Sequence, residues 1–170
     1  SIFLNINQSY SVLDAINDVY RCDQTLVDPA FSKHASGLYL LSLPEDLVAS
    51  VDAGMDIHDC VIPTRYAREG TVFTWDGKMR IQDKKFRKDR YAIDTACTCY
   101  TCSGGAEGTG GYSRAYLRHL SFASEPLGET LLTIHNLHFY LSLMAEARRA
   151  IEEGRFEAFR RERLAAWRPG

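Results

Sequence analysis

In the first third of the chain, short apolar runs typical of strands alternate with segments whose apolar residues have the spacing of a helix. Residues 2–5 form a short apolar run, and from Ser11 onward apolar residues recur every three or four positions. A second apolar run, at residues 38–41, predicts a buried strand, and it is followed by a helix beginning at Pro44 and a strand at residues 55–62. Alternating strands and helices with short connections predict an α/β fold built on a parallel sheet.

The rest of the pattern predicts a hairpin followed by helices. Two strands, at residues 71–75 and 78–81, flank Asp76-Gly77, which is a strong signal for a tight hairpin turn. Residues 113–123 and 127–153 have helical periodicity. The longer helix is expected to turn one apolar stripe toward the core, formed by Leu131, Ile134, Leu137, Leu141 and Met144.

Composition and charge narrow the class of protein. The chain has 170 residues, 45% hydrophobic and 25% charged, with a formal net charge of −2. These values are typical of a single globular domain, and nucleic-acid binding would need a local basic patch. No apolar run approaches the ~20 residues that span a bilayer, and no basic-then-apolar leader opens the chain. We therefore expect a cytoplasmic protein without a membrane partner.

A basic stretch does occur in and around the predicted hairpin. Between Arg65 and Arg90 there are nine Lys or Arg residues against four acidic ones. From composition alone, a solvated hairpin face explains such a stretch more simply than nucleic-acid binding. A final basic segment, residues 155–167, has helical propensity, and a solvated helix end is again the simpler interpretation.

Three cysteines stand within six residues, at Cys97, Cys99 and Cys102. Thiols this close in sequence make strained disulfides, whereas three thiolates from one turn suit a tetrahedral zinc ion. A reduced cysteine-rich loop without metal is the alternative. A fourth ligand would come from elsewhere, and the spacing leaves open His119, His135 and His138.

One acidic residue stands where α/β folds place catalytic groups. Asp59 ends the strand segment at residues 55–59, and carboxylates at the carboxyl end of a parallel strand are well placed for chemistry. Asp59 could instead cap a loop or pair with Arg65. Periodicity does not choose between Asp56 and Asp59.

A family resemblance is carried by several motifs. Residues 56–74, DIHDCVIPTRYAREGTVFT, resemble the catalytic segment of the tRNA-guanine transglycosylases, also called queuine tRNA-ribosyltransferases. The resemblance continues in the family's order through Asp94, the three cysteines, and residues 112–120 and 132–137. It covers residues 38 to the end. His58 departs from the pattern, because relatives usually carry an aromatic residue there.

The resemblance implies a (β/α)8 barrel with a zinc-binding subdomain at about residues 71–140. A whole barrel takes about 250 residues, so residues 37–170 are expected to form its C-terminal part with the C-terminal helices. Residues 1–36 are left as an unassigned segment of one strand and one helix.

The resemblance also implies a reaction. Guanine at the wobble position of the tRNA anticodon would be exchanged for a 7-deazaguanine, queuine or its precursor, through a covalent aspartyl-ribosyl intermediate. Asp59 matches the nucleophile, and Arg65 and Arg68 match the arginines that contact RNA. One structural Zn²⁺ would be held by Cys97, Cys99, Cys102 and His135.

The expected partners are tRNA, the 7-deazaguanine base, and either a second copy of the chain or a complementary chain that supplies the rest of the barrel. Two other functions fit the same residues. One is a non-catalytic partner subunit that binds tRNA for a transglycosylase, and the other is a transglycosylase that inserts deazaguanine into DNA.

Overall fold

The computed structural model of the chain describes residues 3–5, 43–52, 54, 57–104 and 111–167. The predicted helix after Ser11 and the predicted strand at residues 38–41 lie outside this part. The strands are β1 (Phe3–Asn5), β2 (Ile57–Asp59), β3 (Thr71–Thr74) and β4 (Gly77–Arg80). The helices are α1 (Pro44–Asp52), α2 (Ile62–Arg68), α3 (Tyr100–Ser103), α4 (Arg114–Phe122), α5 (Pro126–Glu152) and α6 (Phe156–Trp167).

Most of the predicted elements in the described ranges are confirmed. The three helices predicted toward the C-terminus correspond to α4, α5 and α6, and the strand predicted near the N-terminus corresponds to β1. None of the described helices is both long enough and apolar enough to cross a membrane. The described strands form two separate two-stranded antiparallel sheets. The (β/α)8 barrel is not seen in these ranges and stays a prediction.

The chain divides into two compact units, and the first contains the described residues up to Ile62 together with Ser142–Ala165. In this unit β1 and β2 are antiparallel, with Phe3 opposite Asp59 and Asn5 opposite Ile57. An ion pair of 3.2 Å between Arg160 Nε of α6 and Asp52 Oδ2 joins that helix to α1. The Asp59 strand is thus paired with an antiparallel neighbour in the described residues.

The strand predicted at residues 55–62 is longer than the strand in the structure. Among the described residues of this range only Ile57–Asp59 is extended, and Ile62 already begins α2. Pro63 does not break a strand but occupies the second position of the helix. Proline is well tolerated in a first turn, since its missing N–H has no partner there anyway.

The second unit contains the described residues of Pro63–Leu141 with the end of α6. Its hairpin is confirmed, but the turn lies one residue earlier than the predicted Asp76-Gly77. Thr71 lies opposite Arg80 and Thr74 opposite Gly77, so Trp75 and Asp76 form the two-residue connection. Gly77 has a φ of 123°, a backbone conformation that other residues adopt only with strain. All four residues of β3 are buried.

The buried face of α5 differs from the apolar stripe predicted for it. Leu141 is 55% exposed, whereas the polar residues His135 and Asn136 are 1% and 0% exposed. The prediction is confirmed for Leu131 and Met144, which are 1% and 4% exposed, and is wrong for Leu141. It misses the two polar residues because it counts only apolar residues as core. One edge of β3 pairs with β4, and the backbone N–H and C=O groups of the other edge face α5. Because that edge is buried, these groups need hydrogen bonds from polar side chains.

The core of the second unit lies around the cysteine turn and the start of α5. Residues 71–140, for which a zinc-binding subdomain is predicted, lie within this unit, and the boundary stays a prediction. Ser113 caps α4, because its side chain accepts a hydrogen bond from the Tyr116 amide at 3.2 Å. The buried core residues are Ala67, Val72, Ile81, Ile93, Cys99, Cys102, Leu117, Leu120, Leu131 and Leu132.

Candidate metal centre and the aspartate strand

Local backbone bonds shape the turn that carries the three cysteines. The Cys97 amide donates to the Asp94 carbonyl at 3.3 Å, and the Cys102 amide donates to the Cys99 carbonyl at 3.0 Å. The buried hydroxyl of Thr101 donates to the Leu131 carbonyl of α5 at 2.6 Å. The turn is therefore fixed internally and tied to the long helix.

The four predicted ligands come together at this turn. One donor atom from each of Cys97, Cys99, Cys102 and His135 lies within 4.8 Å of every other. His135 Nδ1 is 3.8, 3.6 and 3.3 Å from the sulfurs of Cys97, Cys99 and Cys102, respectively. A tetrahedral ion with Zn–S near ~2.3 Å and Zn–N near ~2.05 Å would separate sulfur and nitrogen by about 3.6 Å. The donors therefore fit a closed tetrahedral site for a metal ion.

The second ring nitrogen of His135 fixes the orientation of the imidazole. Nε2 lies 2.8 Å from the Phe73 carbonyl oxygen of β3, a group that only accepts hydrogen bonds. Nε2 therefore carries a proton, and Nδ1 is the ring nitrogen that faces the sulfurs. An outer hydrogen bond of this kind is the usual companion of a metal-binding histidine.

The electrostatics of the cluster favour a bound cation. The pKa of Cys99 is lowered, chiefly by hydrogen bonds from Cys102 and Cys97 and against the effect of burial. The pKa of Cys102 is raised, because its hydrogen bonds to Cys97 and Cys99 and its burial disfavour a second thiolate. Burial lowers the pKa of His135, but hydrogen bonds to Cys97 and Cys99 and to the Phe73 carbonyl outweigh it and raise this pKa to about 9. Several negative sulfurs can coexist here only with added positive charge.

The other two histidines left open by the spacing do not contribute to this cluster. His138 Nε2 lies 3.5 Å from the hydroxyl of Thr98. His119 belongs to α4, and its backbone carbonyl accepts a hydrogen bond from the Ala123 amide at the end of that helix.

Asp59 ends β2 in the first unit, and its carboxylate is only partly exposed. Its Oδ1 atom is buried and has no hydrogen-bond partner among the described residues. The preceding residue, His58, is buried, and its Nε2 lies 2.6 Å from the hydroxyl of Ser50. A buried carboxylate oxygen without a partner is costly, which makes it a candidate acceptor for a ligand.

Arg65 and Arg68 lie about one turn apart on α2 and are both exposed. Arg65 Nε is 3.8 Å from Glu69 Oε1, with 67% of the arginine side chain exposed. Arg68 Nε is 3.5 Å from the Thr64 carbonyl. Such loose, solvated contacts contribute little stability, so both guanidinium groups can turn to an anionic ligand at small cost.

Asn136 is a buried polar residue that sequence reasoning missed. It is fully buried and hydrogen-bonds to the backbone of Phe73, Pro63 and Thr71. The signal that could have found it is its position directly after His135, within residues 132–137, which carry part of the family resemblance.

The chain is thus a mixed α and β protein with a Cys3His cluster that could hold a metal ion. The sequence profile of the family described as Queuine tRNA-ribosyltransferase matches residues 17–169. The chain therefore belongs to the queuine tRNA-ribosyltransferase family.

Individual relatives agree with the profile. The chain is 48% identical over 130 residues to a Queuine tRNA-ribosyltransferase of Acidovorax sp. (strain JS42). The matched region covers 72% of this chain and 33% of the relative. It is 52% identical over 123 residues to one from Thioalkalivibrio sulfidiphilus, covering 71% and 31%. With one from Sorangium cellulosum it shares 49% identity over 140 residues, covering 82% and 33%. The chain thus spans about a third of the length of these relatives.

Proposed function

We propose that this chain forms the C-terminal part of a tRNA-guanine transglycosylase. The enzyme would exchange guanine at the anticodon wobble position for a 7-deazaguanine, queuine or its precursor. The observation that carries the proposal is the family match across residues 17–169, which includes Asp59, the two arginines of α2 and the Cys3His cluster.

Asp59 acts as the nucleophile in this proposal. Its carboxylate bonds to the anomeric carbon of the ribose while the bond from that carbon to guanine breaks, and guanine leaves with the bonding electrons and takes up a proton. The deazaguanine then gives up a proton and bonds to the same carbon, which releases the carboxylate. A carboxylate suits both steps, because it stabilises an oxocarbenium-like transition state and is also a competent leaving group.

The RNA is held through its phosphates and its unstacked base. Arg65 and Arg68 supply exposed positive charge in the last turn of α2. Each contact with a phosphate releases condensed counterions, which favours binding and makes it depend on salt. The target base must leave the stack before its ribose can be reached.

The Cys3His cluster holds one structural Zn²⁺. Three thiolates and an imidazole are a common donor set for zinc, and four protein donors leave no position open for a water molecule. The ion contributes folding free energy, since it ties the cysteine turn to α5.

The remaining strands and helices of the (β/α)8 barrel come from a region outside these 170 residues, on the same chain or on a partner chain in the cytoplasm. The relatives are about three times as long as the matched region, which leaves room for the rest of such a barrel.

A trapping experiment tests the assignment of Asp59. The chain, joined to or assembled with the region that supplies the rest of the barrel, is incubated with a tRNA anticodon stem-loop bearing guanine at the wobble position, together with a deazapurine inhibitor that stalls the second step. A covalent protein–RNA adduct that survives denaturation is expected for wild type and absent in Asp59→Asn. Asp56→Asn is the matched control, because it removes another carboxylate of the same sequence segment, and it should still form the adduct.

The remaining outcomes separate the alternatives. RNA binding without any adduct in wild type contradicts catalysis by this chain and favours a tRNA-binding partner subunit. An adduct formed with duplex DNA in place of RNA favours the DNA-directed enzyme.

A further inference from the structure

Asn136 uses both ends of its side-chain amide to join three segments of the second unit. Its Oδ1 accepts a hydrogen bond from the Phe73 amide at 3.1 Å. Its Nδ2 donates to the carbonyl of Pro63 and to that of Thr71, each at 3.0 Å. The residue is 0% exposed. Loss of this amide would leave buried backbone groups without partners, so the three bonds fix where those segments meet.

One of the three bonds reaches the helix that carries the two arginines. Pro63 lies in the first turn of α2, a helix of seven residues. A helix this short is not stable by itself, so its position depends on contacts with the rest of the fold. Ala67 anchors one side of α2 in the core, and Asn136 anchors its beginning.

The other bonds connect the same amide to the metal centre. Phe73 donates its amide to Asn136 and accepts a hydrogen bond from His135 Nε2 at 2.8 Å. Two consecutive residues of α5 therefore hold the two backbone groups of a single β3 residue. Contacts that hold the His135 ring in place therefore also hold Asn136 where it can donate to the Pro63 carbonyl.

We infer that Asn136 is a positioning residue for the RNA-contacting arginines, and that it ties the placement of α2 to the metal centre. Arg65 and Arg68 lie in the last turn of α2. A small rotation of the first turn would move both guanidinium groups relative to a phosphate. This inference rests on the proposed RNA-binding function, but its structural part can be measured without RNA.

Asn136→Asp is the informative substitution. It keeps an acceptor for the Phe73 amide, removes both donated bonds, and places a carboxylate oxygen against the carbonyls of Pro63 and Thr71. Thr101→Val is the matched control. It removes a buried side-chain hydrogen bond beside the same cysteines, but that bond is made to Leu131 of α5 and not to α2.

Both variants are loaded with zinc and compared with wild type in two measurements. The first is the affinity for a tRNA anticodon stem-loop over a range of salt concentrations. The second is hydrogen exchange at the amides of Glu69 and Gly70, which donate to the carbonyls of Arg65 and Ala67 at 3.3 and 2.9 Å and so report on the end of α2.

Asn136→Asp should retain one zinc per chain, bind RNA about tenfold more weakly and lose about one unit of salt slope. Exchange at Glu69 and Gly70 should be faster in this variant. Thr101→Val should change neither measurement by more than about twofold. If Asn136→Asp fails to hold zinc, Asn136→Ser replaces it with the same expectations, because it introduces no buried charge.

Two results would overturn the inference. One is unchanged RNA affinity and exchange in a zinc-loaded Asn136 variant, and the other is an equal loss in Thr101→Val. Failure of wild type to bind RNA would contradict the proposed function instead, and faster exchange confined to the Asn136 variant would still support the anchoring of α2.

Discussion

Gly111 lies so close to the backbone of Cys102 that a Cβ atom on the glycine would stand 2.1 Å from the Cys102 carbonyl oxygen. The glycine also has a φ of +85°, which side chains rarely adopt. The next residue, Tyr112, donates its amide to the Thr101 carbonyl at 2.9 Å. Two segments of backbone therefore pack directly against each other at the cysteine turn.

We predict that Gly111→Ala disrupts the metal centre. The new methyl group must push the backbone of Cys102 away, which moves one of the four donors. The free energy of unfolding should fall by more than the roughly 1–2 kcal/mol that left-handed strain alone costs, and zinc affinity should fall at least about tenfold, on the scale of other disturbed metal sites. Thermal unfolding and competition with a chelator measure the two effects.

Gly154→Ala is the control for Gly111→Ala. Gly154 also has a positive φ, of 67°, but among the described residues no atom beyond its chain neighbours lies within 4 Å of the position that a Cβ atom would take there. Alanine at this position should cost only the strain and leave zinc affinity unchanged. Equal effects of the two substitutions on zinc binding would contradict the role given to the close approach.

We predict that Cys99→Ser abolishes zinc binding and destabilises the second unit. Cys99 contributes one of the four donors and is itself part of the core. A serine hydroxyl is a poor ligand for zinc, and a three-donor site loses much of the folding free energy that the ion supplies. Elemental analysis after dialysis against a chelator should find zinc in wild type and none in Cys99→Ser, since loss of a direct ligand should weaken binding at least about tenfold, as loss of an outer hydrogen bond does.

Cys60→Ser is the control for Cys99→Ser, because it tests whether loss of any cysteine, or only of one in the cluster, reduces zinc binding. Cys60 is buried in the first unit and is not among the residues of the cluster. This variant should keep one zinc per chain. A full complement of zinc in Cys99→Ser would refute the ligand assignment.

The hairpin, the helices toward the C-terminus and the cysteine cluster could be predicted from the sequence because their signals are local. Asp76-Gly77 indicates a hairpin because Gly77 tolerates its positive φ, although the connection itself is Trp75-Asp76. The three cysteines indicate a metal site, but their spacing alone does not choose among three histidines, and the family resemblance supplied His135.

The features that could not be predicted depend on contacts between distant segments. The two buried polar residues of α5 lie outside the predicted apolar stripe, and their partners are backbone groups of β3 about sixty positions earlier. No periodicity reports such a pairing. The end of the Asp59 strand is misplaced for a different reason, since proline either ends a strand or sits in the first turn of a helix.

We predict that Arg65→Ala and Arg68→Ala weaken tRNA binding and flatten its salt dependence. Each lost phosphate contact should lower the slope of log affinity against log salt by about 1. The stability of the fold should change little, because both side chains are exposed. Filter binding or fluorescence anisotropy over a salt series measures the slope.

Glu69→Gln is a control that should change RNA affinity in the opposite direction. Glu69 Oε1 lies 3.8 Å from Arg65 Nε, and its neutralisation frees the arginine and takes away a negative charge beside α2. RNA affinity should rise slightly. Unchanged salt slopes in both arginine variants would mean that these arginines are only solvated.

The ion pair between Asp89 and Arg114 makes an acid-sensitive contribution to stability. Arg114 Nη1 lies 3.0 Å from Asp89 Oδ2, and both side chains are mostly buried. Desolvation by itself would raise the pKa of Asp89, but the Tyr91 amide and the Arg114 guanidinium outweigh it, so this pKa lies below its ordinary value of 3.8. Because the folded-state pKa is depressed, the stabilisation is present above pH 3.8 and is lost as the pH falls through the folded-state value.

Asp89→Asn should therefore lower the free energy of unfolding by about 1 kcal/mol near neutral pH, a figure already reduced for solvent screening. The difference between the two chains should shrink toward zero in acid. Comparing them at each pH by urea unfolding cancels the protonation of the metal-binding thiols, which both chains share. A double-mutant cycle with Arg114→Gln should give a coupling energy that disappears over the same range, and a coupling that persists in acid would assign the stabilisation to packing and not to charge.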